Sequence, residues 1–363
     1  MNKKSIAFIL VLTIIGVLSV LEVAMISQSI AENRAAQRYA ESLRAFWLAE
    51  AGINDALYRL RNNFDTTETD IGTVSLSHGC YRVENIDIVD SSTKRVMVSG
   101  FVSPGGIERR LIALVKKVIP PNFYDYAIYS AGGIDFNGNA YIVSNNEPYP
   151  HNKAVIYAGD YDVQHPQNII GSVTNDESVS PLARFKFEEL LAKSQVQGNV
   201  YAYVGNKLVN TKTGSSNFPE SFWYSRADDG VDNDNDGNID ESDEWVPNIV
   251  YINGDLKLNG NIGTIGGFFV VVGDVINTPD ITQDAIINGN GQIDGVIYTR
   301  GIFRINGGGG NLNINGGVWT GNQARLNGNV FVTYNKQYMK AIEELDIEPE
   351  PQITLWQDTQ TFY

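Results

Sequence analysis

The chain has 363 residues, of which 43% are hydrophobic and 19% are charged, so its composition predicts folded domains and excludes an intrinsically disordered chain. The formal net charge is −15, and no long stripe of Lys and Arg is present, which argues against nucleic acid as the main partner. The single cysteine, Cys80, excludes an internal disulfide, and the 35 glycines indicate many tight turns.

The chain begins with an apolar segment that is long enough to cross a membrane. Residues 6–26 are almost continuously apolar, and about 20 such residues span a bilayer as a helix. Lys3 and Lys4 precede this segment, so the positive-inside rule keeps the N-terminus in the cytoplasm and places the rest of the chain outside. The alternative is a cleaved signal peptide, which would have a shorter apolar core and a small-residue cleavage site.

The predicted helix covers residues 6–64 and continues well beyond the membrane. Residues 27–63 contain no proline, and their apolar residues recur at helical steps, which predicts one apolar stripe that holds a globular domain. The stripe comprises Tyr39, Leu43, Phe46, Ile53, Leu57 and Leu60. Glu22 lies inside the apolar segment near its outer end, where its carboxylate either reaches the lipid headgroups or pairs with another subunit.

Residues 65–118 are predicted to form a small antiparallel sheet. Four segments, 73–78, 80–89, 94–103 and 107–117, show fragments of the alternation that is typical of strands. The connections between them are short, which favours hairpins. Because a sheet of this size is stable only with a layer packed on it, the apolar stripe of the helix is the expected partner.

The order of these elements resembles that of the type IV pilin-like superfamily. Residues 45–57, AFWLAEAGINDAL, are similar to the AEAG signature of PilX-type minor pilins, and the resemblance covers residues 1–118. It implies that a prepilin peptidase removes a leader, residues 1–5, by cleaving between Ser5 and Ile6, with methylation of the new N-terminus. It also implies a bacterial protein that resides in the inner membrane before assembly and then faces the periplasm or the cell surface.

Two positions depart from the commonest pattern of that superfamily. Ser5 stands where the leader usually ends in Gly, and Leu10 stands where most members carry a Glu that pairs with a neighbour's terminal amine. The lack of this Glu is shared by PilX-type proteins and by the K-type pseudopilin of type II secretion. The resemblance therefore implies a minor or tip subunit whose partners are other pilins or pseudopilins, contacted through the N-terminal helix, including Leu10 and Glu22.

Beyond Pro120 and Pro121, one phrase returns along the chain. It consists of a short apolar strand, a Gly turn, alternating apolar residues and often Asn-Gly, and such repeats predict a β-solenoid. The phrase occupies residues 128–138, 155–163, 249–260, 269–277, 296–307 and 324–332. The first part of the solenoid is predicted at 122–171 and the second part, with a C-terminal cap, at 248–363. A sandwich with Asn-Gly hairpins is the alternative, and the region also resembles bactofilin-like, polymer-forming solenoids.

An insertion at 172–247 interrupts the repeat. It contains a predicted helix at 181–195 and the acidic run DDGVDNDNDGNIDESDEW, residues 228–245. Carboxylates at alternate positions, with a Gly at the sixth, can wrap Ca²⁺, and a solvated acidic loop is the alternative. The predicted ligands are Asp232, Asp234, Asp236, Asn238 through its carbonyl, Asp240 and Asp243, with Asp243 in place of the usual Glu.

The chain is thus predicted to be an α+β protein with a long N-terminal transmembrane helix packed on a small antiparallel sheet, followed by a large β-solenoid that carries an inserted helix and a calcium loop. The expected function is structural, with the solenoid displayed for assembly priming, adhesion or binding of a surface glycan or protein. A membrane-anchored protein that polymerises through its solenoid is the first alternative. A polysaccharide-acting enzyme is the second, with candidate residues Asp294, Arg300 and Arg304 in no distinctive spacing.

Overall fold

The computed structural model describes residues 3–65, 72–102, 106–120, 122–144, 153–225, 245–273, 283–307 and 310–359. The chain divides into two compact units. Unit 1 comprises Met1–Lys117 together with Pro351–Tyr363, and unit 2 comprises Val118–Glu350. Unit 2 is therefore an insertion in the chain of unit 1.

Unit 1 begins with one long helix, α1 (Lys3–Asn62), which confirms the predicted N-terminal helix. Burial on this helix begins only at Ala45, and from there it recurs every three or four residues. The buried residues are Ala45, Leu48, Ala49, Ile53, Ala56, Leu57 and Leu60. The predicted stripe is wrong at its start, because Tyr39 and Leu43 are 73% and 44% exposed. Tyr39 lies six residues, or about 9 Å, before the first residue that the sheet covers.

The predicted antiparallel sheet is confirmed, with strands β1 (Thr73–Leu76), β2 (Gly79–Asp90), β3 (Thr93–Phe101) and β4 (Glu108–Lys116) joined in sequence order. Their inward side chains alternate with outward ones, as in a sheet with one buried face. The core between this sheet and α1 contains Val83, Val96, Val98, Leu111 and Ala113, each fully buried. A fully buried aliphatic side chain of this kind contributes about 1.5–3 kcal/mol.

Unit 2 is mostly β-structure. Its helices are α2 (Phe187–Gln197) and α3 (Lys336–Glu343), with short 3₁₀ helices at Phe123–Asp125, Pro166–Asn168 and Glu177–Val179. Its strands are β5 (Ile128–Ser130), β6 (Ile134–Asn137), β7 (Ala140–Val143), β8 (Lys153–Tyr157), β9 (Tyr161–Val163), β10 (Ile169–Ile170), β11 (Ser172–Asn175), β12 (Val200–Val204), β13 (Lys207–Asn210), β14 (Trp223–Ser225), β15 (Trp245–Pro247), β16 (Ile249–Asn253), β17 (Leu256–Val271), β18 (Ala285–Thr299), β19 (Phe303–Asn306), β20 (Leu312–Thr320), β21 (Ala324–Asn327) and β22 (Val330–Tyr334).

Sixteen of these strands form one curled sheet that is parallel except for the β12–β13 hairpin. The first ladder runs β12, β16, β17, β18, β20, β5, β8 and β11. The second ladder runs β17, β18, β19, β21, β6 and β9. The third ladder runs β18, β20, β22, β7 and β10. The sheet curls because β17, β18 and β20 are long and contribute different segments to more than one ladder.

The order of the strands in the ladders differs from their order in the chain. In the first ladder β20 pairs with β5, and in the second ladder β21 pairs with β6. The last strands of unit 2 therefore lie beside its first strands. Residues between β11 and β16 connect the two ends of the sheet, since β11 pairs with β8 at one end and β12 with β16 at the other.

The first ladder is buried on both of its faces. Phe185, just before α2, and Phe187, its first residue, both contact Tyr298. Phe185 also contacts Trp319. In addition, α3 packs on β18 and β20. The side chains of Tyr298 and Trp319 are fully buried. The second and third ladders, in contrast, alternate buried and exposed residues, as expected for strands with one solvated face.

The inserted helix starts later than predicted. Residues 181–186 are not helical, and α2 begins at Phe187. The backbone of this segment is paired with the end of unit 2, because the N–H of Lys186 donates to the carbonyl of Glu348 (2.8 Å) and that of Glu350 to the carbonyl of Arg184 (2.9 Å). These hydrogen bonds replace the ones that a first helical turn would make.

The C-terminal end of the predicted solenoid requires a correction. The sequence assigns 248–363 to the second part of the solenoid and its cap, but β23 (Gln352–Thr359) pairs antiparallel with β4 in unit 1. Lys116 at the end of β4 is the register partner of Gln352. Edge strands expose unpaired backbone groups, and β23 satisfies those of β4. Along the chain, unit 2 is the connection between the adjacent antiparallel strands β4 and β23, where a hairpin loop would otherwise stand.

Candidate functional site

The first candidate site is the apolar segment of α1, defined here as residues 12–30. Its large apolar side chains are between 48% and 72% exposed, and α1 is long and apolar enough to cross a membrane. The exposed side chains are Leu12, Ile14, Ile15, Val17, Leu18, Val20, Leu21, Val23, Met25, Ile26 and Ile30. A contiguous apolar surface of this extent needs lipid or protein around it.

The residues that the sequence singled out on this helix lie along its first half. Ser5, Ile6 and Leu10 belong to α1, but their side chains lie outside the described part. Glu22 is exposed within the apolar segment and makes no hydrogen bond or ion pair with another residue that the structure describes. A carboxylate at such a place is costly in lipid unless it finds a partner or reaches the headgroups.

The AEAG stretch, residues 49–52, lies where α1 approaches the sheet most closely. Ala49 is fully buried, and a Cβ on Gly52 would lie 2.5 Å from Val98 Cγ1. On the facing strand, a Cβ on Gly100 would lie 2.1 Å from the carbonyl oxygen of Ala45. The small residues of this stretch therefore set the distance between helix and sheet, and so fix how the apolar segment leaves unit 1.

The second candidate site is the outer face of the second ladder in unit 2. Five of its six strands carry the phrase apolar–X–apolar–Asn–Gly, in which the apolar residues point inward. The X residues are in register and form one outward column, which comprises Lys257, Ile286, Arg304, Arg325 and Asp135. The asparagines form a parallel column, which comprises Asn259, Asn288, Asn306, Asn327 and Asn137. Asp162 and Gln164 continue the two columns on β9 and just beyond it.

The asparagine column is linked by hydrogen bonds along the ladder. The Nδ2 of Asn288 donates to Oδ1 of Asn259 at 3.0 Å, and that of Asn306 to Oδ1 of Asn288 at 2.9 Å. The Nδ2 of Asn327 donates to Oδ1 of Asn306 at 3.5 Å. Each carboxamide has two N–H donors, so these side chains keep further polar groups for solvent or a ligand.

The residues considered for catalysis are not assembled into one site. Asp294 lies on the third ladder, where Gln292 and Asn315 donate hydrogen bonds to its carboxylate at 2.9 and 3.1 Å. Arg304 lies on the second ladder, in register with Ile286 and Arg325. Arg300 lies between β18 and β19. The structure thus places Asp294 and Arg304 on different ladders.

Buried tyrosines supply no acid–base group. Burial raises the pKa of Tyr124, Tyr129 and Tyr298 well above the ordinary value, so these hydroxyls stay protonated at physiological pH. The hydroxyl of Tyr298 donates to the carbonyl of Ala183 at 3.0 Å. Their role is to fill the first ladder's outer face.

The predicted calcium ligands, Asp232, Asp234, Asp236, Asn238, Asp240 and Asp243, lie outside the described residues. The strands on either side of them are described, and β14 pairs antiparallel with β15 so that Ser225 and Trp245 are register partners. The described residues on either side of the predicted ligands therefore lie next to each other, while the course of the acidic run itself lies outside the described residues. Among the residues that the structure does describe, no group of three His, Cys, Asp or Glu side chains is placed to hold a metal ion.

The sequence reasoning missed the in-register arginines of the second ladder. Arg304 was considered only as a possible catalytic group, and Arg325 was not considered. The repeated phrase contained the necessary signal, because its X position precedes each Asn-Gly by two residues and must therefore fall in one column.

No protein-family model and no curated protein matches the chain. Among solved structures it is similar to the competence-associated pilin ComZ from Thermus thermophilus, with 12% identity over 88% of this chain and 97% of that chain and a TM-score of 0.22. It is also similar to an ice binding protein from an Antarctic biological consortium, with 7% identity over 60% of this chain and 91% of that chain and a TM-score of 0.27. At these identities and TM-scores no family is shown, and the function rests on this chain's own residues.

Proposed function

We propose that this protein is a pilin-like structural subunit of a type IV pilus or of a type II secretion pseudopilus, in which it is a minor or tip component. The observation that carries the proposal is α1, whose residues 12–30 are apolar and uncovered while residues 45–60 are seated on an antiparallel sheet. One half of such a helix suits a membrane and then a bundle of like helices. The other half holds the folded part of unit 1.

Unit 2 is proposed as the displayed part, a β-solenoid that faces the periplasm or the cell exterior. Three parallel ladders that share long strands support a solenoid. Its place in the chain supports display, because an insertion between adjacent strands β4 and β23 leaves the sheet of unit 1 complete. Loop positions of this kind tolerate inserted domains. The role is structural rather than catalytic, with assembly priming, adhesion or partner binding as its output.

The leader of residues 1–5 belongs to this proposal. Cleavage between Ser5 and Ile6 would place Leu10 near the new N-terminus, where it offers no carboxylate to a neighbour's buried amine. An unpaired buried charge is strongly unfavourable, so the subunit adds poorly beneath such a neighbour. A minor or tip position follows from this mismatch.

A substitution in the apolar segment tests the proposal. Replacing Leu18 and Leu21 with Asp is expected to remove the protein from the membrane and from sheared surface filaments, because each Asp at the centre of a spanning helix costs about 2.5–3.5 kcal/mol. The measurement is an immunoblot of membrane, soluble and filament fractions. Ile88→Asp is the matched control, since Ile88 is 62% exposed but lies on β2. Unchanged recovery of the Leu18/Leu21 variant in filaments would contradict the proposed role.

We also propose that the acidic run binds one structural Ca²⁺ ion. Extracellular modules bind Ca²⁺ at about 10⁻⁴–10⁻³ M, and the paired ends at β14 and β15 give the loop a fixed base. Replacing Asp232 and Asp236 with Ala is expected to lower the melting temperature in Ca²⁺ but not in chelator. The proposal fails if the wild-type protein melts at the same temperature in both conditions.

A further inference from the structure

We propose that the outer face of the second ladder in unit 2 binds a carboxylated polysaccharide, which lies across the strands along the arginine and asparagine columns. The binding face is a two-by-two grid formed by Arg304 and Arg325 with Asn306 and Asn327. The inference names a ligand class for the display role proposed for unit 2 and rests on that role. Binding itself is measured on the isolated full chain, so it does not depend on pilus assembly.

The two arginines are neighbours by register. Arg304 on β19 and Arg325 on β21 are direct partners in a parallel ladder, and both alternate with fully buried residues, so their side chains point outward. Adjacent strands are about 4.8 Å apart. The guanidinium groups therefore stand side by side on one solvated surface.

This pairing places two positive charges side by side. The side chain of Arg304 makes no ion pair or hydrogen bond with any other described residue, and the Nε of Arg325 donates to the neutral Oε1 of Gln323 at 2.6 Å. Asp135 is the register partner of Arg325 on the opposite side from Arg304, so Arg325 has one acidic neighbour and Arg304 has none in this column. Like charges directly opposite each other destabilise a sheet. Two in-register arginines offer a site for an anion between them, and a carboxylate accepts two parallel hydrogen bonds from a guanidinium.

The asparagine column supplies the second half of the grid. Asn306 and Asn327 follow the arginines by two residues, which places them about 6.6 Å along each strand on the same face. Their carboxamides are aligned by the hydrogen bonds of the column, which fixes their orientation before any ligand arrives. Remaining N–H and C=O groups of this kind suit the hydroxyls of a sugar.

The repeat of the grid selects an extended chain of sugars. An extended uronan that lies across strands about 4.8 Å apart covers several of them, and its successive units turn their carboxylates in different directions. A carboxylate that faces the protein lies between Arg304 and Arg325, while hydroxyls of the bound units face the asparagine column. A single strand of DNA spaces its phosphates differently and carries no 2′-hydroxyl row, so it fits this grid less well.

The ends of the outward column that contains Arg304 and Arg325 limit the length of the bound sugar chain. At one end Asp135 and Asp162 continue the column and repel a carboxylate. At the other end Lys257 is paired with Asp255 at 2.9 Å. The favourable part thus runs from β17 to β21, which is four strands or about 14 Å, and it accommodates three to four sugar units.

Titration of the purified full chain in detergent with galacturonate oligomers, from the dimer to the hexamer, tests this proposal. Affinity is expected to rise up to the trimer or tetramer and then to level off, and the methyl-esterified oligomers should not bind. Arg304→Gln with Arg325→Gln should weaken binding at least about tenfold, because charge-assisted hydrogen bonds to carboxylate are lost. Arg304→Lys with Arg325→Lys should give an intermediate loss, since charge remains without the planar fork.

Lys207→Gln with Lys212→Gln is the matched control, because it removes the same charge from exposed residues at and just beyond the β12–β13 hairpin. This variant should bind as the wild type does. Equal binding by the Arg304/Arg325→Gln variant, with its thermal unfolding unchanged, would overturn the proposal. So would equal binding of the methyl esters, or full competition by a single-stranded DNA of equal charge. A negative result here leaves the filament test of the proposed function unaffected.

Discussion

Replacing Gly316 with Ala is expected to destabilise unit 2 by about 3–5 kcal/mol. Gly316 lies on β20 in register with Gly295 on β18, and a Cβ at Gly316 would lie 1.9 Å from the carbonyl oxygen of Gly295. Its φ of 147° is also one that side chains rarely adopt. Because the obstacle is backbone inside a parallel ladder, relief requires separating two strands that both the first and third ladders share.

Thermal unfolding of the full chain, followed by circular dichroism, measures this effect. Gly214→Ala is the control, because Gly214 also has a positive φ, of 71°, but no atom lies within 4 Å of the Cβ position. The control should lose only about 1–2 kcal/mol from backbone strain. If the two variants unfold at the same temperature, the close strand contact at Gly316 is not as described.

Replacing Gly100 with Ala is expected to destabilise unit 1 by about 2–3 kcal/mol or more. The new Cβ would lie 2.1 Å from the carbonyl oxygen of Ala45 and 2.5 Å from the backbone nitrogen of Ala49. Both are backbone atoms of α1, so the helix as a whole must move away from β3. Burial of Val98 and Leu57 in the same core would then decrease.

Hydrogen exchange of the β3 amides measures the loss, because weaker packing of the helix on the sheet lowers the free energy needed to open the β2–β3 and β3–β4 ladders that protect them. Gly16→Ala is the matched control, since Gly16 lies in α1 with no atom within 4 Å of its Cβ position. It should leave β3 exchange unchanged. An increased exchange rate in the Gly16 control, or an unchanged exchange rate in the Gly100 variant, would refute the proposed role of the close helix–sheet contact.

Local patterns predicted α1 and the strands β1 to β4 of unit 1, because these elements are close together in the chain. The apolar run of residues 6–26 and the alternation in β2 to β4 depend on side-chain periodicity, which the sequence displays directly. Tyr39 and Leu43 continue the same helical period, but periodicity does not tell where the sheet ends. β23 was missed because its partner β4 precedes it by more than two hundred residues, and no local pattern encodes that pairing.

In unit 2 the repeated phrase contains the information on which residues share a column but not on the order of the strands. Asn306 and Asn327 follow from the phrase, since equivalent positions of stacked repeats fall in register. The pairing of β20 with β5 does not follow, because it joins the end of the repeat to its beginning. For the same reason the juxtaposition of Arg304 and Arg325 is visible only once the register is known.

The segment from β11 to β16 was predicted as an excursion and proves to have two parts. Ser172–Asn175 and Val200–Val204 pair within the parallel sheet, although neither carries the repeated phrase in full. The acidic run leaves from the β14–β15 pair. Strand ends that are held together in this way shorten the search of a loop for its bound conformation, which favours a structural over a switching role for the proposed Ca²⁺ ion.

The N-terminal mass of the protein recovered from sheared surface filaments tests the central claim most directly. The expected result is a chain that begins at Ile6, has lost Met1–Ser5 and carries a methylated terminal amine. A filament-associated protein that retains Met1–Ser5 would contradict the account and would favour a membrane-anchored protein that polymerises through unit 2.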